Sequence, residues 1–155
     1  ENIMRIIVFS ASHGSTGCMQ AALLDHPEAD MIIHLGDGEK DLEKLSNLTA
    51  GKKIVQVCGN CDFYSFLPAN EIVDVAGTRI FCTHGHTELV KHGTEQLVAK
   101  AKGLNASVAL YGHTHQTVTW YDDGLHVMNP GSIRGGEYGM IDITPSGIMV
   151  LQADV

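Results

Sequence analysis

Short apolar runs and polar, glycine-bearing turns alternate along this chain, and their lengths separate strands from helices. The stretch "MRIIVF" (4–9) is apolar at nearly every position, the pattern of a strand buried on both faces of a parallel sheet. "MIIHL" (31–35) and "KIVQVC" (53–58) predict two more strands. Between them the pattern predicts a helix over 16–25, capped by Ser15 or Thr16, and a charged helix over 38–48 with Leu42, Leu45 and Leu48 on one face. "EIVDV" and "TRIFCT", joined through Ala76 and Gly77, read as a hairpin. A helix is expected over 89–103, where Leu97, Val98, Ala101 and Leu104 share a face and Gly103 marks the end. "VALY", "TVTWY", "LHVMN", "YGMIDI" and "GIMVLQ" follow as strands, with turn signals at Asp123-Gly124 and Ser146-Gly147. The order is βαβαβ, a hairpin, a helix, then a run of antiparallel strands. It predicts one α/β domain over residues 1–155, with a mixed sheet or two packed sheets.

Composition narrows the function classes. A chain of 155 residues, 44% apolar and 18% charged, is long enough to bury a core, and no apolar run approaches a membrane span. "ENIMRIIVFS" lacks a basic leader and a small-residue cleavage site, so a cytoplasmic location is the expectation. A net charge of −8 without a Lys/Arg cluster argues against a nucleic-acid groove. Four cysteines, Cys18, Cys58, Cys61 and Cys82, are too few and too scattered for a disulfide scaffold. The nine histidines change the picture, because of where they fall.

Polar residues collect where strands end, the place where α/β sheets bind ligands. The first strand leads to His13, the second to Asp37 in "LGDGEKD", and the third to Asn60 and Asp62 in "CGNCD". "TRIFCT" leads to His84 and His86, and the strand at 108–111 to His113 and His115 in "GHTH". A lone histidine at a strand end is ordinarily a surface residue, but five strand ends carrying metal-ligand chemistry point to one centre. His26, His92 and His126 keep the structural reading, and His34 reads as a packed group or one that supports a ligand, more than as a ligand itself. In extended chain His113 and His115 would point to one side and serve two neighbouring ions. Such ions sit about 3.5–4 Å apart and share a ligand, for which Asp37 is the natural bridge. Glycines at 14, 36, 59, 85 and 112 allow turns and close approach beside these residues. Competing motifs are weak: Cys58-x-x-Cys61 has no second pair, "GSTG" lacks the phosphate-loop lysine, and no serine sits in a nucleophile elbow.

The ordered motifs "VFSASHG", "HLGD", "CGNCD", "THGH", "YGHTH" and "MNPGS" resemble the calcineurin-like metallophosphoesterases, and within them the small single-domain bacterial and archaeal phosphodiesterases, nearly end to end. The resemblance implies two mixed β-sheets packed as a sandwich with helices outside, a four-layer α/β fold. It implies two divalent ions, manganese first, with iron, zinc and nickel as alternatives. One would be held by His13, Asp37 and His115 with the residue at position 11, the other by Asp37, Asn60, His84 and His113. Asp37, Asn60 and His84 would carry the chemistry, a metal-bridging hydroxide attacking a phosphoester. The family pattern Asp-x-His reads Ala11-Ser12-His13 here, so one carboxylate ligand is missing and the first ion should be held less firmly. Position 11 is expected at a strand's mouth, where substitution leaves folding intact. Cys61 replaces the histidine that protonates the leaving group in many relatives, which favours a diester or a good leaving group. Asp62 and Cys61 would support the site, and His86 and Arg134 would contact substrate. The expected partner is a small phosphoester, with homo-oligomerisation left open. The rival expectation is a catalytically impaired protein-binding scaffold of the same fold, as in a retromer subunit, marked by a large exposed apolar patch in place of an open polar cleft.

Overall fold

Ile6 and Val8 of the first strand face one way and Ile7 and Phe9 the other, and all four are fully buried. That double burial is what an unbroken apolar run needs, and the computed structural model, which describes residues 3–155, supplies it with packed layers on both sides. Strand β1 (Met4–Phe9) runs parallel to β2 (Met31–His34), which runs parallel to β3 (Lys53–Gln56). The hairpin β4 (Asn70–Val75) and β5 (Thr78–Thr83) and the parallel strand β6 (Val108–Leu110) belong to a second sheet. That sheet is completed by the hairpin β7 (Val118–Asp122) and β8 (Leu125–Asn129), with β8 parallel to β6. The C-terminal hairpin, β9 (Glu137–Thr144) and β10 (Gly147–Asp154), returns to the first sheet and pairs antiparallel with β1.

Two mixed five-stranded sheets result, ordered β10-β9-β1-β2-β3 and β4-β5-β6-β8-β7. Their facing sides interdigitate Ile6, Val8 and Ile33 with Ile80, Leu110 and Met128. Helix α1 (Gly17–Asp25) covers the outer side of the first sheet through Met19, Ala22 and Leu23. The outer side of the second sheet is covered by Leu97 and Ala101 of the helix Glu95–Gly103. Helix, sheet, sheet and helix stack as four layers. The parallel strands β1, β2 and β3 end on one edge, and β5 and β6 bring their ends to the same edge of the sandwich.

Two predicted helices are shorter than their apolar periodicity suggests. Over 38–48 the chain forms a 3-10 turn at Leu42–Leu45 and one α-turn at Ser46–Thr49. Asp41 N–H bonds Gly38 O and Lys44 N–H bonds Asp41 O, the three-residue spacing of tight turns and not that of an α-helix. Leu42 and Leu45 still pack on the first sheet as their spacing predicts. Over 89–103 only Glu95–Gly103 is α-helical. Leu89 (φ 54°) and Gly93 (φ 126°) break the preceding segment into separate 3-10 turns.

Candidate metal centre

Beyond the ends of β1 and β2 the two chains stay paired, with Ala11 N–H donating to Gly36 O (3.0 Å) and His13 N–H to Asp37 O (2.9 Å). This pairing carries His13 and Asp37 side by side into the loops, both with left-handed backbone (φ 47° and 61°). Asp37 Oδ1 accepts the Cys61 N–H at 2.8 Å. Its Oδ2 lies 3.8 Å from His13 Nε2 and 3.3 Å from His84 Nε2. Asp37 is therefore the atom-level junction between the two sheets' loops.

His84, fully buried, donates from Nδ1 to Leu35 O at 2.7 Å. That bond leaves Nε2 as a lone pair. Around it stand Asn60 Oδ1 at 3.0 Å, His113 Nδ1 at 3.1 Å and Asp37 Oδ2 at 3.3 Å. A cluster of acceptors facing one another fits a cation, which turns each repulsive contact into a ligand bond. A second group meets it at Asp37: the ligand atoms of His13, Asp37 and His115 all lie within 4.8 Å of one another. The rings of His13 and His115 are edge-on, 5.5 Å apart. His113 and His115 reach these positions differently from the expected extended strand. Both have left-handed backbone (φ 69° and 59°), so a turn splays one ring toward His84 and the other toward His13.

The electrostatics suit cation binding. Burial raises the Asp37 carboxyl's pKa, but the neighbouring His84 imidazole, the Cys61 N–H and the His13 imidazole outweigh it and hold the group down to about 2. His113 is pushed down to about 4, first by burial and then by the charges of His84 and Lys91. Burial lowers His115 and His86 in the same direction. Neutral imidazoles beside an ionised carboxylate are the ligand forms a divalent metal requires.

Several residues act by holding these. Asp62 accepts four backbone N–H bonds, from Asp37, Gly38, Glu39 and Gly59 (2.8–3.1 Å), and so locks the Asp37 loop to the Asn60 loop. Gly59 permits that approach, because a Cβ there would overlap the Asp37 carboxylate. Sequence reasoning missed a buried chain beneath His13. His34 Nδ1 accepts the Gly36 N–H (3.1 Å), its Nε2–H donates to Ser12 Oγ (2.9 Å), and Ser12 donates to Asp41 (2.5 Å), which also accepts the Gly14 N–H. Burial pushes His34 down to about 4, outweighing the opposing charges of Asp62 and Asp41. The signals in the sequence were His34 at the end of an apolar strand and Asp41 four residues after Asp37. Asn129 of "MNPGS" donates to Gly112 O (3.1 Å) and Thr114 Oγ1 (2.9 Å) and so braces the "GHTH" turn, while Ser132 donates to Ala11 O (3.1 Å).

Position 11 lies at the strand's mouth, two residues past the end of β1, and there Ala11 is fully buried with φ 58°. The side chain sits beneath the His13 turn because backbone pairing continues past the end of β1. Cys61 is exposed at the cleft, its thiol pushed up by burial of the sulfur and by the Asp37 charge, so it stays protonated at neutral pH. His86 lies 5.4 Å from His84, ring to ring, with its buried Nδ1 unpartnered. Arg134 is exposed on the turn Ile133–Gly135 against α1, outside the lining of the cleft. An open cleft of about 390 Å³ runs from His13 and Asp37 past Asp41, Cys61 and Asp62 to Phe63.

Comparison with known proteins places this geometry. The family model described as the calcineurin-like phosphoesterase superfamily domain matches residues 4–146. The probable metallophosphoesterase YsnB of Bacillus subtilis is 31% identical over 132 residues, 84% of this chain and 76% of that one. Phosphodiesterase YfcE of Escherichia coli is 29% identical, with 90% of this chain and 88% of that one covered. The fold is also that of the vacuolar protein sorting protein Vps29 from Entamoeba histolytica, solved with zinc (TM-score 0.74, 18% identity, 97% and 99% covered). The metallophosphoesterase family implies divalent metal ions, and the convergent histidines around Asp37 fit them. This chain belongs to the calcineurin-like phosphoesterase superfamily.

Proposed function

We propose that the protein is a phosphodiesterase whose centre takes two divalent ions, manganese foremost. The observation that carries the reading is the convergence of His13, Asn60, His113 and His115 on Asp37 and His84, six side chains from five loops with acceptor atoms facing one another. Asp37, Asn60, His84 and His113 would hold one ion, and His13, Asp37 and His115 the other. Bound there, such ions supply Lewis-acid activation of water and neutralise the charge on a phosphate in a protein of charge −8. The chain's own residues do the rest. Asp37 spans both ligand groups, and Asp62 fixes the distance between the two loops that carry Asp37 and Asn60. His84 is held in one tautomer by Leu35 O. No histidine stands at position 61 to protonate the departing oxygen, so the substrate is a diester or an ester with a good leaving group. His86, whose ring packs beside His84 and His113, is a candidate for a phosphate oxygen contact.

A scaffold reading of the same fold draws support from Ala11 at a ligand position and from exposed aromatic side chains beside the cleft. Hydrolysis of bis(p-nitrophenyl) phosphate with added manganese separates the two. The enzyme reading predicts turnover that chelation abolishes and that His84→Ala and Asn60→Ala each reduce at least about a hundredfold, as loss of a ligand demands. Metal binding without turnover would favour the scaffold.

A further inference from the structure

Immediately after the Asn60 loop, the segment "DFYSF" turns three aromatic side chains to solvent. Phe63 is 79% exposed, Tyr64 99% and Phe66 104%. Large rings this open, within four positions, are uncommon on a folded surface unless something covers them. The segment is also built rather than loose. Asp62 at its start is held by four backbone N–H groups, and Ser65 Oγ donates to Glu39 on the Asp37 loop and accepts the Leu67 N–H (3.0 Å). Its far end is pinned where Cys58 N–H donates to Pro68 O (2.9 Å). Tyr64 takes a left-handed backbone (φ 59°), a conformation a bulky L residue adopts only when its surroundings hold it there. The rings are thus displayed on a frame tied directly to the metal-binding loops.

Phe63 also lines the cleft that contains His13 and Asp37. At about 390 Å³ that cleft has the size of a small-ligand site, and its wall changes from carboxylates and imidazole to an open aromatic face. A ligand that matches both halves carries a phosphate next to a planar ring. Resting on the phosphodiesterase reading above, we propose that the substrate is a nucleoside phosphodiester whose base stacks on Phe63. Stacking on an exposed ring is base-tolerant, since every base offers a π face. The aromatic wall therefore selects for the presence of a base and not for its identity. In the reaction water forms the new P–O bond, the P–O bond to the leaving group breaks, and the released protons pass to solvent.

The test uses two diesters with one leaving group, thymidine 5′-(p-nitrophenyl phosphate) and methyl p-nitrophenyl phosphate, on the manganese-loaded protein. The expected kcat/KM ratio favours the nucleoside ester by about tenfold, through KM, a size within the range of base–aromatic stacking. Phe63→Leu should bring the ratio close to one, and Phe63→Tyr should keep it. Phe63 is mostly exposed, so neither change disturbs the core. A wild-type ratio near one, or a ratio untouched by Phe63→Leu, overturns the proposal. So does sedimentation showing a dimer that Phe66→Ser dissociates, which would assign the rings to a contact between copies. If neither ester is cleaved, the phosphodiesterase reading fails separately. Calorimetric binding of thymidine 5′-monophosphate against methyl phosphate then decides the stacking, with equal affinities overturning it.

Discussion

Replacing Ala11 by aspartate puts a carboxylate where the chain is fully buried and left-handed, two residues before His13. The backbone accepts the change, because aspartate tolerates left-handed φ better than alanine does. Solvation does not. Without metal the new carboxylate loses water and lies near the ionised Asp37 loop, a cost of roughly 1–3 kcal/mol for an unsatisfied buried group. For a chain of this size that lowers Tm by roughly 3–10 °C. With manganese the same carboxylate joins His13, Asp37 and His115, and affinity at that site should rise by about 10–100-fold, on the scale set by lost supporting partners. Melting curves of both proteins, with chelator and with manganese, read both effects. Ala11→Asp should melt lower than the parent in chelator and at least as high in manganese, with phosphodiester turnover raised about tenfold. Identical melting in chelator together with an unchanged manganese titration would refute the reasoning, since it would place position 11 outside the metal site.

Three further outcomes follow from the same geometry. His34 is buried neutral with its pKa near 4, whereas the unfolded chain protonates near 6.5, so stability of the metal-free protein is complete above about pH 6.5 and falls as pH drops toward 4. The loss reaches about 3 kcal/mol, and urea midpoints that stay flat between pH 7 and 4.5 would contradict it. Asp62→Ala strips the shared acceptor from four N–H groups and should cost roughly 2–4 kcal/mol in urea unfolding while weakening manganese binding. Unaltered manganese affinity would show that the two loops hold their spacing without Asp62. Gly59→Ala should weaken manganese binding at least about tenfold and lower the urea midpoint as well, because the added methyl overlaps both the Asp37 carboxylate and the Asp37 backbone nitrogen. Equal affinity in the variant would contradict the overlap.

The strands were legible because alternation and double burial are written residue by residue. Ile6 and Val8 against Ile7 and Phe9 is a pattern only a doubly covered strand produces. Whether one mixed sheet or two packed sheets formed was not legible from the pattern, since β9 and β10 return to β1 across the whole chain. The helices came out too long, because periodicity registers Leu42 and Leu45 but not the three-residue hydrogen-bond spacing that keeps this stretch in tight turns. Residue types at strand ends pointed to the centre, but its geometry lay in backbone conformations that periodicity cannot see. His113 and His115 diverge through left-handed φ, and Ala11 is buried by pairing that outlasts its strand. Phe63, Tyr64 and Phe66 escaped notice for a related reason. Aromatic residues in sequence default to core, and only the fold shows these three left outside.

The central claim is that two ions share Asp37, one of them held less firmly because Ala11 supplies no ligand. Anomalous diffraction from crystals of the protein equilibrated with manganese tests it most directly. The account predicts two peaks flanking the Asp37 carboxylate. A fully occupied one lies among Asn60, His84 and His113, and a weaker one lies between His13 and His115. A single peak away from Asp37, or a stronger ion at His13 and His115 than at His84, would contradict it.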